Sequence, residues 1–157
     1  MQRLYVMQHA EAKPKDIDPE RGLTPEGIAH IKKTGNFIAQ SSINISEIWH
    51  SDKKRAADTA QVLSEYQQQL ENTQSVEGLH AKDDPKELEK KLKNVPNDKT
   101  ICLIGHLPHL ANLTALLLKT KSNPVNFKNA GLISLVYSEE NEHWLLDGYV
   151  SPDMLKE

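Results

Sequence analysis

The 157-residue sequence contains one cysteine, few aromatic residues and no long hydrophobic run. Cys102 alone cannot form an internal disulfide, and its place in an apolar run predicts a buried, unreactive thiol in a reducing compartment. No segment approaches the roughly 18 apolar residues that a membrane span requires, and the first apolar run is too brief for a signal peptide. We therefore expect a cytoplasmic, soluble protein that does not contact membranes.

The sequence also lacks an excess of either charge, because 19 Lys and Arg residues face 22 Asp and Glu residues. The net charge of -3 gives no broad basic field of the kind that nucleic-acid binding needs, so we expect no nucleic-acid partner. The hydrophobic content of 38% and the charged content of 26% are typical of globular proteins. No internal repeat or linker composition divides the chain, which predicts a single domain over residues 1–157.

Hydrophobic patterns predict strands that alternate with helices over most of the chain. The predicted strands are residues 3–8, a segment within 43–50, a weaker strand around 75–79, and residues 100–105, 132–137 and 143–150. The predicted helices are residues 24–41, 55–66 and 107–118, with a charged helix that begins at Asp84 and Pro85. This alternation favours an α/β fold, a three-layer α/β/α sandwich whose mainly parallel sheet is covered on both faces. The last two strands form a hairpin that supplies an antiparallel edge.

Chemically distinctive residues follow three of the predicted strands. Gln8 and His9 end the first strand, Ser51 follows the second, and His106 follows the fourth. Ligands bind beyond the carboxyl ends of the strands in open parallel sheets, so neighbouring strands would bring these side chains together. Arg55 lies at the start of a predicted helix, where free N–H groups, the helix dipole and a guanidinium favour a bound phosphate. The combination predicts a site for phosphoryl transfer.

Several segments together resemble the ordered signatures of the histidine phosphatase superfamily. They are QHAEA at residues 8–12, RGLTPEG at 21–27, SDKKRAADTA at 51–60 and GHLP at 105–108. The likeness is strongest to the small bacterial phosphohistidine phosphatases, and it extends through residues 78–88 to the closing hairpin. It implies a phosphoglycerate mutase-like fold and a phosphatase that needs no metal and no other cofactor.

The resemblance also implies roles for individual residues. By this likeness His9 is the catalytic nucleophile and becomes transiently phosphorylated, while Arg55 and His106 hold the phosphoryl oxygens and stabilise the transition state. Arg21 matches an arginine at the rim of the substrate pocket, and Ser51 either assists through its hydroxyl or only caps the helix. The implied partner of the monomeric enzyme is a phosphorylated protein, such as a histidine phosphotransfer domain, or a small phosphorylated substrate.

Two features depart from the family pattern. Gln8 stands where the pattern has arginine immediately before the nucleophilic histidine, so it is either a weakened phosphate ligand or an inert replacement. Larger family members place a carboxylate over the leaving oxygen as a general acid, and here Glu77, Asp83 and Asp84 give no clear match. A phosphohistidine substrate relaxes this second requirement, because an imidazole can leave in a protonated form.

Two other functions compete with the phosphatase interpretation. The chain could keep the fold as a phosphate- or phosphoprotein-binding module whose activity lapsed with the lost arginine. Alternatively, His106 and His109 could form a metal site with His9 or Glu11, although Pro108 interrupts the regular helical face that such a site normally uses. A turnover assay separates the first alternative from an enzyme, and metal analysis of the purified protein tests the second.

Some of the singled-out residues also have simpler structural interpretations. Arg55 could serve only in a surface ion pair with Asp52 or Asp58. The histidines outside the resemblance are expected to be structural, surface or turn residues, and they are His30, His50, His80 and His143.

Overall fold

A computed structural model describes residues 1–156 of the chain, in which strands alternate with helices. The strands are β1 (Arg3–Gln8), β2 (Glu47–His50), β3 (Asn72–Ser75), β4 (Ile101–Gly105), β5 (Leu132–Ser138) and β6 (His143–Val150). The helices are α1 (Pro25–Gln40), α2 (Lys54–Ser64), α3 (Pro85–Lys93) and α4 (His109–Leu118), followed by a short 3-10 helix (Pro152–Met154). None of the helices among these residues is long and apolar enough to span a lipid bilayer.

The strands form one six-stranded sheet in the order β3-β2-β4-β1-β5-β6. The pairs β2–β3, β2–β4 and β1–β4 are parallel, whereas β5 is antiparallel to β1 and β6 is antiparallel to β5. The closing hairpin therefore supplies the antiparallel part of the sheet, as its sequence pattern predicts. A mainly parallel sheet with an antiparallel edge is confirmed.

Helices cover both faces of the sheet, because the strands are hydrophobic on both sides. Tyr5 and Met7 of β1 belong to a buried core that includes residues of α1 and α2. Leu4 and Val6, which point to the opposite face, belong to a second core that includes residues of α3 and α4. The predicted three-layer sandwich is thus confirmed, and β4 supplies fully buried side chains to both cores.

Several predicted elements have different bounds in the structure. The second strand, expected within residues 43–50, is Glu47–His50, and Ile45 is buried although it lies in the loop before the strand. The third strand is Asn72–Ser75 rather than 75–79, since this exposed edge strand is polar and the buried Leu79 lies in the turn after it. Helix α4 begins at His109 rather than 107, because residues 107 and 108 form the turn that leads into it.

Candidate active site

The carboxyl ends of β1, β2 and β4 lie side by side and bring the predicted site residues together. Gln8 pairs with Gly105 across the β1–β4 ladder, and the backbone N–H of His9 donates to the carbonyl oxygen of Gly105 at 3.1 Å. The imidazole rings of His9 and His106 consequently lie with their centroids 5.1 Å apart and their planes inclined by 57°. The two histidines therefore form one wall of a shared pocket at the end of the sheet.

His9 is held in the neutral tautomer that suits a nucleophile. Its side chain is buried, and Nδ1 lies 2.7 Å from the carbonyl oxygen of Ala10. Because a carbonyl oxygen can only accept, Nδ1 carries the hydrogen and Nε2 keeps its lone pair. Burial is the main cause that lowers the pKa of His9 from 6.5 to about 4, and the positive charges of Arg55 and Arg21 add to it. At neutral pH Nε2 of His9 is therefore unprotonated, and its lone pair can act as a nucleophile.

Two side chains that the sequence analysis did not single out position the backbone around His9. Asn129 donates from Nδ2 to the carbonyl oxygen of His9 at 2.8 Å. The hydroxyl of Thr59 accepts from the N–H of Ala10 at 2.9 Å and donates to the carbonyl oxygen of Arg55 at 2.7 Å. Thr59 lies within the segment 51–60 that carries the resemblance, whereas the sequence contains no local signal for Asn129.

His106 is joined to β2 through Ser51. Its Nε2 lies 2.7 Å from Oγ of Ser51, and the same oxygen accepts a hydrogen bond from the backbone N–H of Lys53 at 3.1 Å. The alternative that Ser51 only caps α2 is wrong, because the N-cap of that helix is Lys53. The hydroxyl of Ser51 instead holds the backbone before the helix and the ring of His106. Burial, together with the nearby charges of His9 and Arg55, lowers the pKa of His106 from 6.5 to about 3. Its Nδ1 is buried without a hydrogen-bond partner among residues 1–156.

Arg55 lies in the first turn of α2, beside both histidines. Its Nε is buried and has no hydrogen-bond partner within residues 1–156. The ion pairs considered for it do not form, because Asp58 pairs with Lys54 and Asp52 pairs with His80. Burial first, and the charge of Arg21 second, lower the pKa of Arg55 from its usual value. The guanidinium of Arg55 is thus positioned by helix α2, and neither Asp52 nor Asp58 neutralises its charge.

Arg21 lies at the rim, on a loop with unusual backbone geometry. Its φ of 56° is in the left-handed region, which is uncommon for a residue with a Cβ. The conformation is held by a bond from its own N–H to the carbonyl oxygen of Asp18 and by a bond from its Nε to the carbonyl oxygen of Lys13. Within residues 1–156 no hydrogen bond engages its two terminal guanidinium nitrogens, which leaves them available to a ligand.

An open cavity of about 570 Å³ leads from the rim toward the pocket. Basic side chains dominate its lining, which consists of Lys15, Pro19, Glu20, Arg21, Asp52, Lys53, Lys54 and Arg55. In a molecule with a net charge of -3, this lining forms a local positive surface. The approach to the pocket therefore favours anions.

Gln8 occupies the last position of β1, directly before His9. Its carbonyl oxygen accepts from the N–H of Ala130, and its side chain has no hydrogen-bond partner within residues 1–156. By the alternation of the strand it lies on the same face of the sheet as Leu4 and Val6. Gln8 thus lies beside His9 at the end of β1, and within residues 1–156 no hydrogen bond engages its amide.

The three carboxylates considered as a general acid do not lie among the bonded groups of the pocket. Asp83 accepts from the backbone N–H of His80 at 2.9 Å, and Asp84 is the N-cap of α3. The carbonyl oxygen of Glu77 accepts from Nζ of Lys91 at 2.7 Å. Asp83 and Asp84 therefore each accept a backbone N–H in the local turn and helix cap.

The alternative metal site has no cluster of ligands in the described part of the chain. Across residues 1–156 no three His, Cys, Asp or Glu side chains are grouped so that they could hold a metal ion. His109 is completely buried in the first turn of α4, and neither of its ring nitrogens has a hydrogen-bond partner among these residues.

Comparison of the sequence with known proteins identifies one family. The family model of the histidine phosphatase superfamily (branch 1) matches residues 4–83. These residues include His9, Arg21, Ser51 and Arg55, whereas His106 lies beyond the match. No curated protein matches the chain significantly.

Comparison of the fold finds similar solved structures along nearly the whole chain. The protein histidine phosphatase SixA complexed with tungstate superposes with a TM-score of 0.87 at 20% identity, covering 98% of this chain and 99% of that chain. A SixA protein from Agrobacterium tumefaciens gives a TM-score of 0.79 at 19% identity, with 96% and 98% covered. Phosphoserine phosphatase from Entamoeba histolytica in complex with 3-phosphoglyceric acid gives 0.71 at 18% identity, with 96% and 98% covered. These likenesses establish the fold of the chain.

Proposed function

The chain belongs to the histidine phosphatase superfamily, and from this membership we propose that it is a phosphatase that works through a phosphohistidine intermediate on His9. One observation carries the proposal. Nε2 of His9, with its lone pair, lies near two buried nitrogens, Nε of Arg55 and Nδ1 of His106, that have no partner within residues 1–156. Buried polar groups are normally satisfied, and the guanidinium is a charged donor, so a ligand with several oxygens fits this place.

The proposed reaction has two steps. In the first, Nε2 of His9 attacks phosphorus, the bond between phosphorus and the leaving group breaks, and Arg55 and His106 stabilise the charge on the phosphoryl oxygens. In the second, water attacks the phosphorus of phosphohistidine, the P–N bond breaks, and the neutral imidazole returns with inorganic phosphate as product. The hydrogen bond from Nδ1 to Ala10 holds the ring in one orientation through both steps.

We propose phosphohistidine in a protein, such as a histidine phosphotransfer domain, as the substrate. An imidazole leaves readily in its protonated form, so this substrate does not require a carboxylate acid. The open, basic cavity that ends at Arg55 leaves room for a protein surface around the phosphorylated side chain. The similarity of the fold to the protein histidine phosphatase SixA supports the same substrate class.

The test is the release of phosphate from a phosphorylated histidine phosphotransfer domain by the purified protein. We expect catalytic release that disappears in His9→Ala and persists in His143→Gln, a matched histidine change at the start of β6. Ser51→Ala serves as an intermediate case, because it removes the bond that orients His106 and leaves the nucleophile in place.

A second function, binding of the phosphorylated domain without catalysis, is favoured by one observation, the glutamine at position 8. If the missing arginine has abolished turnover, the protein binds the phosphorylated domain without releasing phosphate. Tight binding by the wild-type protein with no release above the His9→Ala background would establish the binding module and exclude the enzyme.

A further inference from the structure

His80 and Asp52 form a side-chain pair next to the pocket. Nε2 of His80 lies 2.6 Å from Oδ1 of Asp52, and the two side chains are 47% and 64% exposed. Since the carboxylate can only accept, Nε2 carries a hydrogen, and Nδ1 is the nitrogen left to exchange a proton with another molecule. The exposure of the pair gives a bound substrate access to it.

The pair is attached from both sides to residues that adjoin His106. Asp52 directly follows Ser51, whose hydroxyl bonds to His106. On the other side, Leu79 directly precedes His80, is completely buried, and packs so closely on Gly105 that a Cβ there would lie 3.4 Å from Leu79 Cδ2. His80 is therefore anchored beside the end of β4, where His106 begins the pocket wall.

The turn that carries His80 is built to hold it there. The N–H of His80 donates to the carboxylate of Asp83 at 2.9 Å, and the N–H of Asp83 donates back to the carbonyl oxygen of His80 at 3.1 Å. Gly78 precedes the turn with a φ of 97°, a conformation that glycine adopts without strain. Electrostatic repulsion from His80 also contributes to the lowered pKa of His106, which is consistent with their proximity.

We propose that His80, oriented by Asp52, is the general acid and base of the phosphatase in place of the family's carboxylate. The proposal rests on the proposed function, because it assigns a catalytic residue to that reaction. It extends the activity to phosphate esters of alcohols, whose leaving oxygen must be protonated. Positioned proton transfer of this kind typically contributes about 10²- to 10⁴-fold to the rate.

The proton balance closes over the two steps. As Nε2 of His9 attacks and the P–O bond breaks, protonated His80 gives its Nδ1 proton to the leaving oxygen, and a neutral alcohol departs. The neutral His80 then takes a proton from the water that attacks phosphohistidine, and the P–N bond breaks to release phosphate and His9. Asp52 stays ionised throughout and accepts the Nε2–H of His80, which keeps the imidazole in one orientation.

The experiment compares two small substrates that differ in leaving group. p-Nitrophenyl phosphate releases a stabilised anion that needs no acid, whereas benzyl phosphate releases an alkoxide that must be protonated. We expect His80→Gln to lower kcat/KM for benzyl phosphate by about 100-fold or more and to change that for p-nitrophenyl phosphate by less than about threefold. Asp52→Asn should show the same selectivity with a smaller loss.

The control is His143→Gln, which removes a histidine at the opposite end of the sheet. It should leave kcat/KM for both substrates unchanged. Suppose that wild type hydrolyses p-nitrophenyl phosphate, and that His80→Gln lowers kcat/KM for both substrates equally or for neither. The role assigned to His80 is then wrong, and the proposed function stands. The same conclusion follows if wild type hydrolyses p-nitrophenyl phosphate but not benzyl phosphate. If wild type releases phosphate from neither compound nor from phosphohistidine, the proposed function fails, and the role of His80 fails with it.

Discussion

Gln8 sets how much positive charge the pocket can offer to a phosphoryl group. An arginine at this position would present charged donors in a planar fork, whereas glutamine presents one neutral amide. Hydrogen bonds to charged groups are worth about 1.5 to 3 kcal/mol, against about 0.5 to 1.5 kcal/mol for neutral pairs. Five basic side chains line the cavity that reaches Arg55, namely Lys15, Arg21, Lys53, Lys54 and Arg55 itself.

The change Gln8→Arg is therefore expected to raise activity. The added charged donor should increase kcat/KM for phosphate release by about ten- to a hundredfold, because each 1.36 kcal/mol is a factor of ten in rate. The measurement is the initial rate with p-nitrophenyl phosphate, and Gln2→Arg, which adds the same charge on the exposed segment before β1, is the matched control. An unchanged or lower rate in Gln8→Arg would mean that the pocket is built around another donor.

The convergence of residues that follow strand ends could be predicted from the sequence, whereas the residues that position them could not. His9 and His106 end strands with strong hydrophobic patterns, so their convergence followed from the parallel order of β1 and β4. Asn129 and the partner of His80 are brought in from distant parts of the chain. Such contacts depend on how loops pack in three dimensions, and no local pattern reports them.

At the scale of elements, the N-terminus of α1 supports the loop that follows His9. Thr24 caps the helix, and its own N–H donates to the carbonyl oxygen of Glu11 at 3.0 Å. Gly27, one turn into the helix, lies against the same backbone, because a Cβ there would be 2.2 Å from the oxygen of Glu11. This close approach explains the glycine at the end of the segment RGLTPEG.

The change Gly27→Ala should separate α1 from this loop. A methyl group that overlaps backbone atoms forces a shift of the helix or the loop, and overpacking of this kind typically destabilises by about 1 to 3 kcal/mol. Urea unfolding measures the loss, and the phosphatase rate should fall with it since His9 lies two residues from Glu11. Gly148→Ala, where the added methyl meets no atom within 4 Å, is the control. Equal stability of the two variants would contradict the assigned contact.

The elements that were predicted accurately are those with a strong periodic pattern. The boundaries of β1 and β6 agree with the sequence prediction, and both strands have apolar side chains that the sheet buries in part or in full. Strand β3 was misplaced because its sequence, Asn-Thr-Gln-Ser, carries no hydrophobic alternation. It forms because β2 offers a free edge for parallel pairing, which is a tertiary cause.

At the scale of the whole molecule, the buried histidines link folding to pH. Burial lowers the pKa of His9 to about 4, that of His106 to about 3, and that of His109 in the same direction. In the unfolded chain these groups titrate near 6.5. Between the two values the unfolded state binds more protons than the folded state, so stability rises with pH and is lost as pH falls.

The free energy of unfolding should therefore decline as pH is lowered from about 6.5 toward 4, by up to about 1.4 kcal/mol per pH unit for each histidine. Urea midpoints at successive pH values test this. His109→Leu should flatten the slope and raise stability at neutral pH by roughly 1 to 3 kcal/mol, because it removes two buried nitrogens without partners. A wild-type stability that is equal at pH 5 and pH 7 would contradict the account.

The central claim is that the phosphoryl group passes through His9. The most direct measurement is to mix the protein with a radiolabelled phosphohistidine protein, stop the reaction within milliseconds in alkali, and map the label by peptide analysis. We predict acid-labile phosphate on His9 that forms before phosphate is released and does not form in His9→Ala. Label on another residue, or none during rapid turnover, would contradict the account.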